Sequence, residues 1–122
     1  MTADATMTEV QQQLAPDIVT MRRTAHRFLA PDARPIPTDE VTALGSALRG
    51  QIDELIPTIE AMTRTLPADD VASACALACT REARMRLGLR PGFNSPGHMT
   101  VAMKLARSVK ALCDHYENLG GA

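Results

Sequence analysis

The stretch Ser95-Pro96-Gly97-His98-Met99-Thr100-Val101-Ala102-Met103-Lys104-Leu105-Ala106-Arg107-Ser108-Val109-Lys110-Ala111-Leu112-Cys113-Asp114-His115-Tyr116-Glu117-Asn118-Leu119 decides the fold class. Within it His98, Ala102, Leu105, Val109, Leu112, Tyr116 and Leu119 follow one another at alternating steps of four and three. That is the spacing of one face of a helix. A histidine heads this seam, and the polar run from Cys113 to Asn118 surrounds its foot.

The same phase recurs upstream. Val41, Leu44, Leu48, Ile52, Leu55, Ile59, Met62 and Leu66 form one seam that keeps its register across Pro57, so the proline is expected to bend a helix without ending it. Thr38 is the expected N-cap, with Asp39 and Glu40 in a first turn where negative charge complements the helix dipole. Met7, Val10, Leu14, Ile18, Met21, Ala25 and Phe28 form an earlier series interrupted by Pro16. Because proline is favoured at a first helical position, this reads as an arm over residues 1–15 and a helix starting at Pro16. Pro31, Pro35 and Pro37 make the connector.

Leu66-Pro67 restarts the chain, Asp69 and Asp70 are expected in the next first turn, and Gly88 is the expected left-handed cap ending a third helix near Leu87. Ala72, Ser73, Ala74, Cys75, Ala76, Ala78 and Cys79 make this helix small on several faces. Small residues let neighbours approach closely, which places it in the middle of the molecule. With no strand signal, the fold class is all-α: a small bundle of four main helices with an N-terminal arm, in a single domain over residues 1–122. A chain of 122 residues that is 45% hydrophobic buries one core and leaves little room for a second.

Composition narrows the function classes. A net charge of −1 gives no bulk attraction to nucleic acid or an anionic membrane. No apolar run approaches the roughly 20 residues of a membrane-spanning helix. Met1-Thr2-Ala3-Asp4 opens no signal peptide, and three cysteines are an odd count. Reduced thiols and a cytoplasmic location are therefore expected. Nucleotide-binding and serine-hydrolase signatures are absent from the sequence.

Individual residues admit paired readings. Cys75 and Cys79 lie one turn apart and could join Cys113 and His115 in a zinc site, or act as small apolar core residues. His98 can serve as a base near neutral pH or pack at the bundle end. Arg81, Arg84, Arg86 and Arg90 form a basic patch, read either as an anion site or as a solvated face that complements a helix C-terminus. Arg49 and Asp53 read as an intrahelical pair. Asp114 can pair with Lys110 one turn earlier, but Asp114 and Glu117 stand at the helix end that disfavours acids. They call for arginines of another helix, or for a partner chain.

The runs Leu48-Arg49-Gly50-Gln51-Ile52-Asp53-Glu54-Leu55-Ile56-Pro57 and Leu105 to Leu119, with Cys75 to Arg84 between them, resemble a family of small actinobacterial proteins of largely unknown function, often labelled as natural-product biosynthesis proteins. The resemblance covers roughly residues 41 to 119. In size and helical class the chain is also similar to the accessory proteins of cinnamycin- and duramycin-type lanthipeptide clusters, which form a lysinoalanine bridge. That resemblance implies an enzyme without cofactor or metal that binds a modified peptide and promotes addition of a lysine amine to dehydroalanine. Under it His98 is the candidate catalytic residue for proton transfer. Arg90, Phe93, Arg107 and Asp114 are the candidate substrate-binding residues, the two arginines as enolate partners and Phe93 as a groove wall. A homodimer is expected from the apolar arm carrying Met7, Val10 and Leu14, which must cover something. The alternative is a non-enzymatic helical binding or regulatory module.

Overall fold

The computed structural model of the protein describes residues 15–91 and 95–121, with the backbone alone for residues 95 and 96. It is an all-α bundle of α1 (Ile18–Leu29), α2 (Thr38–Thr63), α3 (Val71–Leu87) and α4 (Ser95–Asn118), and no described residue lies in a strand. The expected arm, apart from Ala15, falls outside the described residues.

Local chemistry sets the boundaries, in places differently from the spacing argument. The first helix starts at Ile18 rather than Pro16 because Asp17 is its N-cap, accepting from the Thr20 backbone N–H at 3.1 Å and the Thr20 hydroxyl at 2.7 Å. Thr38 is the first helical residue of α2 and Pro37 holds the cap position with no side-chain bond. The α2 helix runs unbroken through Pro57, whose exposed position puts the missing N–H on the solvent side. Asp70 is the N-cap of α3 rather than a first-turn residue, with Oδ2 accepting from Ser73 N–H at 2.8 Å.

The helix ends also differ. Gly88 has φ −76°, an ordinary right-handed value, so it is not the left-handed cap. Left-handed backbone occurs at Gly120, φ +97°. Its N–H donates to Glu117 O at 3.0 Å and that of Gly121 to Tyr116 O at 2.9 Å. This pair of bonds is the Schellman arrangement that satisfies the last carbonyls of a helix.

Burial follows the seams. On α4, Ala102, Leu105, Val109, Leu112 and Tyr116 are buried, and His98 and Leu119 are half-buried. On α2, Leu48, Ile52, Leu55 and Ile59 are wholly inaccessible. Each such aliphatic side chain contributes about 1.5–3 kcal/mol on leaving water. Met21, Ala25 and Phe28 bring α1 onto this core.

The α3 helix is not central, contrary to the reading of its small residues. The pair α2 and α4 forms the centre and touches every other helix, whereas α1 and α3 flank it without meeting each other. Only one face of α3 is buried, through Ser73, Ala76, Thr80 and Ala83, while Ala72, Ala74, Cys75 and Ala78 face outward. Small side chains on the buried face allow close approach to the centre. Those on the other face simply cover less water-exposed surface.

A basic cleft between the central helices

The first halves of α2 and α4, with the segment following α3, enclose a cleft of about 330 Å³. Val41, Val101, Ala102 and Leu105 supply apolar walls, and Thr42, Gly45 and Ser46 a small polar side. Arg49, Arg90 and His98 are its charged or titratable lining, beside Pro91, and no carboxylate lines it among the described residues. Its size is at the small end of ligand pockets, and apolar walls with a few convergent polar groups are their usual make-up.

Two arginines are organised around the end of α3. Arg49 donates from Nη1 to Leu87 O at 2.7 Å and from Nη2 to Leu89 O at 2.8 Å. It therefore satisfies the last carbonyl of α3 and one carbonyl of the segment just beyond it. This also corrects its assignment to an intrahelical pair with Asp53. Arg90 turns back on the same two carbonyls, its Nη1 donating to Leu87 O at 2.8 Å and Leu89 O at 3.0 Å. His98, half-buried near the start of α4, faces the same space. Gly45 lies across from it on α2, and a Cβ there would meet nothing within 4 Å.

Of the expected site residues, His98 and Arg90 come together in this cleft. Arg107 is exposed on α4 and is not part of the lining, and Phe93 lies outside the described residues. Asp114 is sixteen residues beyond His98, about 24 Å along a helix rising 1.5 Å per residue. It is held there by Arg22 of α1, whose Nη1 lies 2.8 Å from Oδ1, and by Lys110 at 3.4 Å. Arg22 also pairs with Glu117. The acids at the unfavourable helix end thus find an arginine of another helix, one of the partners the sequence called for. Partial burial pushes the Asp114 carboxyl up, but the hydrogen bond from Arg22 and the charges of Lys110 and Arg22 outweigh it and leave the group below its ordinary value.

The basic patch is largely taken up within the fold. Arg84 makes a two-toothed pair with Glu60 at 2.7 and 2.8 Å. Arg86 meets Glu82 at 2.6 Å and bonds to Lys104 O and the Ser108 hydroxyl at 3.1 Å each. The possible zinc cluster does not assemble: among the described residues no group of three or more His, Cys, Asp or Glu could hold a metal ion. Cys75 is exposed, Cys79 half-buried and Cys113 buried. Burial pushes the Cys113 thiol up to about 11, so it packs as a neutral apolar group.

Sequence reasoning missed Val41, Thr42, Gly45, Ser46 and Arg49 as site residues. The available signal was the upper end of the α2 seam, which must face the histidine-bearing end of the α4 seam if the two helices pair. No helix among the described residues is long and apolar enough to cross a membrane. No curated protein and no solved structure matches the chain. A family model does, over residues 19–121, from the start of α1 to the glycine that closes α4. The chain belongs to that family, a family of unknown function designated DUF6415.

Proposed function

We propose that the protein binds a short peptide segment in the cleft between α2 and α4. The observation that carries this reading is the convergence of His98, Arg49 and Arg90 on a cleft with apolar walls and no carboxylate among its described lining residues. Apolar walls take one or two side chains, and the polar edge at Thr42, Ser46 and Arg90 orients them. The resemblance to lanthipeptide accessory proteins supports a modified peptide as the ligand. A linear precursor containing dehydroalanine and lysine is a suitable probe in NMR titration of the labelled protein. Resonances of residues 41–49 and 98–105 are expected to move. Gly45→Leu should fill the cleft and abolish binding with no loss of thermal stability, since glycine is the poorer helix residue. Unaltered binding by that variant would sink the reading.

A second reading adds chemistry: the bound peptide's lysine amine adds to dehydroalanine. The amine nitrogen bonds to the alkene Cβ, the π electrons pass into an enolate, and the proton lost by nitrogen is returned to Cα. It is favoured by the same cationic, partly dry cleft. Positive neighbours and desolvation promote the neutral amine, and Arg90 is placed to stabilise the enolate. His98 carries the proton. Under this reading the protein works in the cytoplasm as a homodimer, and an unchanged cross-linking rate in His98→Ala would remove the histidine from it. Because the product is isomeric with its precursor, the readout is whether the lysine stays open to alkylation.

A further inference from the structure

Arg49 and Arg90 share their acceptors. Leu87 O receives Arg49 Nη1 at 2.7 Å and Arg90 Nη1 at 2.8 Å, so the two nitrogens lie no farther apart than the sum of those lengths. Leu89 O receives both side chains as well. Two guanidiniums, always charged, therefore stand side by side at one edge of the cleft, and neither has a carboxylate partner among the described residues. By contrast Arg22, Arg27, Arg84 and Arg86 all pair with acids. Two like charges at this range repel, and a third, opposite charge between them relieves the repulsion.

The donors are divided between two tasks. Both terminal nitrogens of Arg49 are taken up in holding the end of α3, which fixes its position. Arg90 uses only Nη1 on the same carbonyls, leaving Nη2 and Nε, two donors of its fixed fork, for a ligand. That fork matches a carboxylate in bidentate fashion. The same cleft is lined by Val41, Val101 and Leu105.

We infer that the cleft selects a carboxylate carried on a short aliphatic body, with Arg90 as the contacting residue, Arg49 as a positioning and charge-adding residue, and the valine and leucine side chains receiving the aliphatic part. This rests on the cleft being the binding site and names the chemistry of its ligand: a peptide C-terminus with an aliphatic last residue.

The probe is 4-methylpentanoate, compared with its uncharged amide 4-methylpentanamide, in NMR titrations of the labelled full-length protein at low salt. Shifts are expected at residues 41–46, 90, 91 and 98–105, with at least tenfold tighter binding of the carboxylate. Arg90→Gln should abolish that preference while amide binding persists, Arg90→Lys should restore part of it, and added salt should weaken the carboxylate alone. Equal binding of acid and amide in the cleft would overturn the carboxylate assignment and leave the cleft as the site. Absence of shifts there with either compound would overturn both, and carboxylate shifts scattered over surface arginines would show nonspecific ion pairing only.

Discussion

Gly121 packs against the ring of Tyr116 so closely that a Cβ on the glycine would stand 2.2 Å from Cε2 and 2.4 Å from Cδ2. Tyr116 is a buried core residue at 8% exposure, so its ring is not free to swing away. Gly121→Ala must therefore open the helix end instead, and the loss is bounded by the value of the cap. Gly120→Ala strains the backbone at φ +97°. Each substitution is expected to cost about 1 kcal/mol, read as a lowered urea midpoint with an unchanged slope. An unchanged midpoint in both would show that the last turn contributes nothing to stability.

Arg22→Met should cost about 1 kcal/mol or less near neutral pH, because Asp114 and Glu117 are half exposed and solvent screens their pairing. Its pH dependence is the sharper test. Asp114 titrates below its ordinary value of 3.8 when folded, so its contribution is present above that value and is lost as pH falls through the folded one. The stability gap between wild type and Arg22→Met should close as pH drops below about 4. A gap that stays constant to pH 2 would contradict the assignment.

Arg49→Ala is expected to destabilise by about 1.5–3 kcal/mol, the range for hydrogen bonds from a charged group to partly buried carbonyls. Amide exchange should rise in the last turn of α3. Asp53→Ala should be close to neutral, as exposed substitutions usually are. The reverse order would restore the intrahelical pair.

Alkylation of the native protein should proceed in the order Cys75, Cys79, Cys113, with Cys113 reacting only on unfolding, as mass mapping after brief iodoacetamide treatment would show. Since its folded thiol titrates near 11 against an ordinary 9.0, stability should be unaffected by this group below pH 9. Between those values it should fall, as the unfolded chain gains a thiolate that the folded one disfavours. Cys113→Ala should flatten that alkaline decline.

Much of the fold was legible because helical phase is a local property. Val41 and the middles of both seams, Leu48 to Ile59 and Ala102 to Tyr116, lie in the core, while Leu44, Met62, His98 and Leu119 are half-buried and Leu66 falls beyond α2. The misplaced acids Asp114 and Glu117 pointed to arginines of another helix. The sequence did not indicate which arginine: Arg22 is more than ninety positions away. Local pairing rules assigned Arg49 to Asp53 because both sit one turn apart, whereas carbonyls at the end of another helix outcompete an exposed carboxylate. Gly88 stays right-handed because the end of α3 closes by i to i−3 bonds, Gly88 N–H to Met85 O and Leu89 N–H to Arg86 O, a tightened last turn that needs no positive φ. Leu119-Gly120-Gly121 carried the signal for a left-handed cap, since glycine just past a helix is the residue such a cap favours. Small residues on every face of α3 could not distinguish a central helix from a flanking one. Of the site, His98 and Arg90 were found by residue type, and the opposing wall was not, because it depends on the register of α2 against α4.

That α1 and α3 never touch gives the protein a branched mechanical layout, with two side elements hung independently on one axle. A perturbation in Phe28 can reach Ala83 only by moving α2 or α4, and distant sites without shared neighbours add in free energy. Destabilising substitutions on the two flanking helices should therefore sum in a double mutant to within about 0.5 kcal/mol, whereas pairs spanning α2 and α4 should not. Hydrogen exchange should likewise show α1 and α3 opening as separate units around a slower centre. A molecule arranged this way can lose or remodel α1, which contributes nothing to the cleft lining, while the axle and the cleft at its end keep their shape.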